Sequence, residues 1–94
     1  MKNNLDRELL ADVAEKLISH LQERNDVQNI DLMNLPGFCR HCLSKWYVSA
    51  AQKSNIDIKY DEARELVYGM PYDTWKTKFQ KEATKEQLEK RKNI

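Results

Sequence analysis

The side chains of this sequence best suited to chemistry are two thiols three residues apart, Cys39 and Cys42 within PGFCRHCLSKWY at residues 36–47. On one helix they share a face, and near its positive end a thiolate is favoured by the dipole and by unpaired backbone N–H groups. That geometry serves either metal ligation or thiol redox chemistry. A zinc site would need two further ligands. His41 is badly placed for the same ion, because it lies roughly 200° around a helix from Cys39 and about 100° from Cys42, and it is expected on the surface. His20, on the flank of the first apolar stripe, and Asp31, in the connector that follows, complete the candidate set Cys39, Cys42, His20 and Asp31, with Glu65 an equivalent choice for the last place. Zinc is the cofactor such a set would take, and no other is indicated. The plainest alternative makes both cysteines small core hydrophobes, a common fate of free thiols.

Other chemistries find less support. The redox reading shares only its spacing with thioredoxin-type sites, since no βαβ pattern surrounds it, and haem attachment fails because Leu43 follows the second cysteine where a histidine is required. There is no glycine-rich phosphate loop, Ser/His/Asp pattern or H-E-x-x-H, and the whole chain has two glycines. An enzyme acting through Asp26, Asp31, Arg40 and Tyr47, in a polar pocket formed by residues 26–47, has the residue types but no motif behind it.

The elements that must position these groups are helical. Leu5, Leu9, Val13, Leu17 and Leu21, widened by Leu10, Ala14 and Ile18, predict an amphipathic helix capped by Asn3 or Asn4. DVQNIDLMNLPG reads as a connector with about one helical turn, because Asn and Asp bond their own backbone; Val27, Ile30, Leu32, Met33 and Leu35 should hold it on the core. The central helix is expected from Gly37 or Phe38 to about Lys53, with Pro36 in its first turn, and Ser54-Asn55 ends it. A third helix runs from about Asp61 to Tyr68, stopped by Gly69, and a fourth covers PYDTWKTKFQKEA. Thr84 and Gln87 then have capping-box spacing before an almost wholly charged stretch.

The fold class is therefore all-α, a small bundle of four to five helices around a central Cys-containing helix. Ninety-four residues suit one domain, 1–82, with 83–94 as a charged, frayed helical tail. Sixteen basic against fifteen acidic residues leave no field to draw the chain to nucleic acid, and Arg40, Lys45 and Arg64 form no basic stripe. No apolar run approaches the ~18 residues that cross a bilayer, and acids occupy the start, so no membrane role and a cytoplasmic location are expected. Trp46, Tyr47, Tyr68, Tyr72, Trp75 and Phe79 lie on helical stripes, more aromatic surface than so short a chain readily hides, and part of it should line a homo-oligomer interface.

DVQNIDLMNLPGFCRHCLSKWY followed by DEARELVYGMPYDTWK resembles a short bacterial family known as domain of unknown function 1244, over about residues 20 to 80. The resemblance implies a small helical cytosolic protein and carries over no catalytic residue; the family pattern implies asparagine where this chain has His41. The leading expectation is an interaction or adaptor-like module acting as a homodimer with an unidentified protein partner. A metal or thiol protein built on Cys39, Cys42 and His20 is the alternative, and an enzyme the third.

Overall fold

The computed structural model describes residues 3–92 and, among them, six α-helices and no strand. The ends of the expected 1–82 domain and 83–94 tail, residues 1, 2, 93 and 94, lie outside the described residues. The helices are α1 (Asn4–Glu23), α2 (Asn29–Asn34), α3 (Arg40–Lys53), α4 (Tyr60–Tyr68), α5 (Tyr72–Phe79) and α6 (Lys85–Lys92). None is long and apolar enough to cross a membrane.

Local chemistry sets most of these boundaries. Asn3 caps α1, its Oδ1 accepting from the Asp6 N–H at 2.8 Å. Asn55, at φ 58°, takes the left-handed turn after α3, and Gly69, at φ 75°, does so after α4. Thr84 and Gln87 form the capping box of α6: the Gln87 N–H donates to Thr84 Oγ1 and the Thr84 N–H to Gln87 Oε1.

The central helix begins later than its apolar pattern suggests. Gly37 has φ 86° and Cys39 is extended at φ −136°, ψ −174°, so α3 starts at Arg40 and Cys39 caps it from outside. Pro36 accordingly sits in the preceding turn, not in the helix.

The core gathers where α3, α4 and α5 meet. Ser44 and Ala51 of α3 face Ala63 and Val67 of α4, and these small side chains allow the two backbones to approach closely. Tyr68, Trp75 and Val67 are fully buried, with Leu43, Met70, Tyr72 and Phe79 packed on them. Tyr68 meets Trp75 edge-on at 5.1 Å and Tyr72 at 5.3 Å between ring centroids, the geometry aromatic quadrupoles favour.

Two expectations about burial are corrected. Only Leu21 of α1 is buried, while Leu5, Leu9, Val13 and Leu17 face solvent. In the connector, Leu35 is 90% exposed, while Val27, Ile30, Leu32 and Met33 are half-buried and share the hold on the core with polar groups. The charged stretch after residue 83 forms α6 against α2, where Asn34 Nδ2 donates to the Gln87 carbonyl and Gln87 Nε2 to Asp31 Oδ1.

Gly69 separates backbone strain from packing. A Cβ there would stand 3.0 Å from Gln22 Cδ, and Gln22 Nε2 ties α1 to α4 by donating to the carbonyls of Leu66 and Val67. Gly37 has a similar φ and nothing within 4 Å. Gly37→Ala should cost about 1 kcal/mol in denaturant unfolding, and Gly69→Ala about twice that, because it also displaces the Gln22 amide.

Candidate functional site

Arg40, the first residue of α3, is the largest charged group in the core, 1% exposed. Its Nη1 donates to the Val27 carbonyl at 2.8 Å and to Asn29 Oδ1 at 3.0 Å, and Nη2 donates to the Arg24 carbonyl at 2.9 Å. The guanidinium carbon lies 4.9 Å from the Trp75 ring centroid. A buried cation normally has a carboxylate partner, and none is within ion-pair distance here among the described residues. Burial lowers the Arg40 pKa, but from so high an ordinary value that the group stays charged. Peptide oxygens and one aromatic face replace water around it.

The same short segment supplies several further long-range polar ties. Asn25 Oδ1 accepts from Trp75 Nε1 at 2.9 Å. Gln28, buried at the N-terminal cap of α2, donates through Nε2 to the Phe79 carbonyl and accepts the Lys81 N–H on Oε1, which fixes the exit of α5. Asn29 links Arg40 to an aromatic cluster, its Nδ2 donating to the Tyr68 hydroxyl at 3.0 Å.

That cluster surrounds His41, which is half-buried and not the surface residue its position on a helical wheel suggests. The Tyr68 and Tyr60 hydroxyls lie 3.2 and 3.3 Å from Nδ1, and the Tyr72 ring meets the imidazole edge-on at 4.8 Å. Because Tyr68 accepts from Asn29, its proton is free for His41, which suits a neutral imidazole with Nδ1 as acceptor. Burial first, and then the positive charges of Arg64, Lys45 and Arg40, hold the His41 pKa below its ordinary value. Burial raises the Tyr68 and Tyr60 hydroxyls above theirs. Arg64 covers this cluster from outside, 4.6 Å from both the Tyr60 and Tyr72 ring centroids, and pairs with Asp61.

Cys39 is buried and Cys42 half-buried, both as free thiols. Burial raises the Cys39 pKa, while the backbone N–H groups of Cys42 and His41 at the start of α3 oppose that rise. Cys42 Sγ lies 3.9 Å from Met33 Sδ. His20 is exposed on α1, and Asp31 is engaged by Gln87. No three His, Cys, Asp or Glu side chains converge on one cation-sized point among the described residues, so the structure brings together the thiols but not His20 or Asp31 with them. The four groups of the enzyme reading are likewise dispersed in their engagements: Asp26 pairs with Arg24 at the surface, Tyr47 is exposed, and Arg40 is structural.

Two features escaped sequence reasoning. Arg40 as a core residue carries no periodic signal, because its helix begins there and its acceptors are main-chain oxygens. The His41 cluster depends on Tyr60, Tyr68 and Tyr72 converging from two other elements, which no local pattern around His41 signals.

Arg40→Met should lose at least about 3 kcal/mol in chemical unfolding, since it strands three buried acceptors, and Arg40→Lys should recover little of it because an ammonium cannot span a fork of acceptors. His41 gives a pH dependence of defined sign. With its folded pKa below the unfolded value near 6.5, the unfolded chain takes up the proton first, so stability falls as pH drops below about 6.5 until the folded pKa is passed. His41→Asn should flatten that part of the stability profile, measured by urea midpoints across pH 5 to 7.5.

No curated protein matches the chain. Residues 27–93 match the family model described as a protein of unknown function, DUF1244, which takes in α2 to α6, both thiols, Arg40 and the tyrosines around His41. With well over half of its length matched, the chain belongs to the DUF1244 family.

Proposed function

We propose that this protein is an interaction module that works as a homodimer, with α1 as its dimerisation element. The observation that carries the reading is the width of the apolar arc on α1. At 100° per residue, Leu21, Ala14, Ile18 and Ala11 form one sector and Leu5, Leu9, Val13 and Leu17 a second. The first sector meets its own chain, where Ala11, Ala14 and Ile18 line a groove of about 480 Å³ with Tyr47 and Leu66. The second is left open to solvent among the described residues, and Leu5, Leu9 and Val13 are 63, 55 and 64% exposed.

A second copy fits that sector better than an unrelated helix, because its charges are self-complementary. An antiparallel pair of α1 helices crossing at Ala11 sets Leu5 against Leu17 and Leu9 against Val13. The same register places Asp6 opposite Lys16, both within that sector, twice by symmetry. A 20-residue helix is about 30 Å long, enough to supply much of the ~800 Å² per partner that stable interfaces bury. Pairing would also support the N-terminal turns of α1, which an isolated helix holds only marginally in water.

Sedimentation equilibrium should return twice the 11.2 kDa chain mass at micromolar concentration. Leu9→Glu with Val13→Glu should weaken association by about a hundredfold or more, two central anchors each being worth more than about 1 kcal/mol. Asp6→Lys should weaken it modestly and adding Lys16→Asp should restore it. A wild-type protein that sediments as a monomer throughout overturns the reading.

A further inference from the structure

We propose that Cys39 and Cys42 form a reversible dithiol–disulfide couple that exchanges with low-molecular-weight disulfides. The geometry of the cap carries this. Two cysteines three apart inside a helix project along its face and bridge awkwardly, but Cys39 is not inside α3: its backbone is extended, at φ −136° and ψ −174°, and its carbonyl accepts the first helical bond, from the Leu43 N–H at 3.2 Å. A residue in that position folds its side chain back over the first helical turn, where Cys42 lies. Residues three apart on a helix keep their Cβ atoms about 5–6 Å apart, and an extended cap residue outside the helical φ/ψ can make the small backbone adjustment that brings them to the roughly 3.5–4.5 Å of a disulfide.

The residue between the thiols fixes them. Arg40 is held by three hydrogen bonds to the preceding segment, so the cap and the first turn of α3 cannot drift apart. Burial raises the Cys39 pKa, and the main-chain N–H groups of His41 and Cys42 at the open start of α3 partly offset that rise. Exposure then assigns the order of reaction. Cys39 is 6% exposed, whereas Cys42 reaches solvent beside Met33.

The exchange balances with a disulfide of the glutathione type as oxidant. The Cys42 thiolate attacks one sulfur of the small disulfide, forming a mixed disulfide and expelling one small thiolate. Cys39, its proton lost to water, attacks Cys42 Sγ, closing the internal disulfide and expelling the second small thiolate. Both small thiolates take up protons from water, so two protein thiols are oxidised and one small disulfide is reduced to two thiols.

The test is acid-quenched mass spectrometry of the full-length protein equilibrated in glutathione redox buffers, then alkylated. Wild type should lose two hydrogens and carry no glutathione, and return to the dithiol on reduction. Cys39→Ser, which keeps a good helix cap, should accumulate glutathione on Cys42. Cys42→Ser should be modified at Cys39 at least about tenfold more slowly, as burial of the remaining thiol requires. The proposal fails if wild type remains reduced in oxidising buffer, if it accumulates a stable glutathione adduct, or if Cys42→Ser reacts as fast as Cys39→Ser. A thermal melt of each variant confirms that the comparison is between folded proteins.

Discussion

A single guanidinium with no carboxylate in ion-pair distance among the described residues organises the centre of this molecule. Arg40 could be accommodated at 1% exposure only if several oxygens were already turned towards it, and the chain meets that demand with the main-chain carbonyls of Arg24 and Val27 and the side chain of Asn29. The two carbonyls belong to the irregular stretch between α1 and α2, where main-chain oxygens are not used up by helical bonding, and Asn29 opens α2 directly after it. A loop here does what a carboxylate does in most buried ion pairs. The arrangement also orients the loop's remaining polar groups, so that Asn25 reaches Trp75 and Gln28 reaches the end of α5.

The helices themselves were largely legible in the sequence. Spacing of three and four, the asparagine before α1, the glycine after α4 and the Thr84–Gln87 pair all located real boundaries, because each acts within a few residues of itself. What could not be read was the destination of polar side chains. Periodicity equates apolar with buried, and it therefore assigned α1's stripe and Leu35 to the core and His41 to the surface, the opposite of what the packing does with them. The thiols were recognised as a pair, but their relation changed once Gly37 delayed the helix and left Cys39 as its cap. The last of these is set by a glycine two residues away, whereas the burial of α1, Leu35 and His41 depends on elements distant in the chain.

The family match and the packing divide the chain at nearly the same place. Matched residues 27–93 contain the arginine, the aromatic cluster and both thiols, whereas α1 lies before them and is secured mainly at its C-terminal end, through Leu21 and the Gln22 amide. A helix anchored at one end and apolar on two sectors is well suited to carry contacts that the remainder of the fold does not need for its own cohesion.

The ties made by the connector span most of the chain. Asn25 to Trp75, Gln28 to Phe79 and Asp31 to Gln87 are separated by 50, 51 and 56 residues. During synthesis, then, the segment that organises the core is made early and answered late: until α5 has emerged, the indole and carbonyl partners of residues 25 and 28 do not exist, and those polar groups remain in water. Helices can form as they appear, but the chain must wait for its last third before it can dehydrate its centre. Although most contacts of the fold are short-range, these few distant ties make the emergence of α5 and α6, not formation of the earlier helices, the point at which the connector's polar groups can be buried.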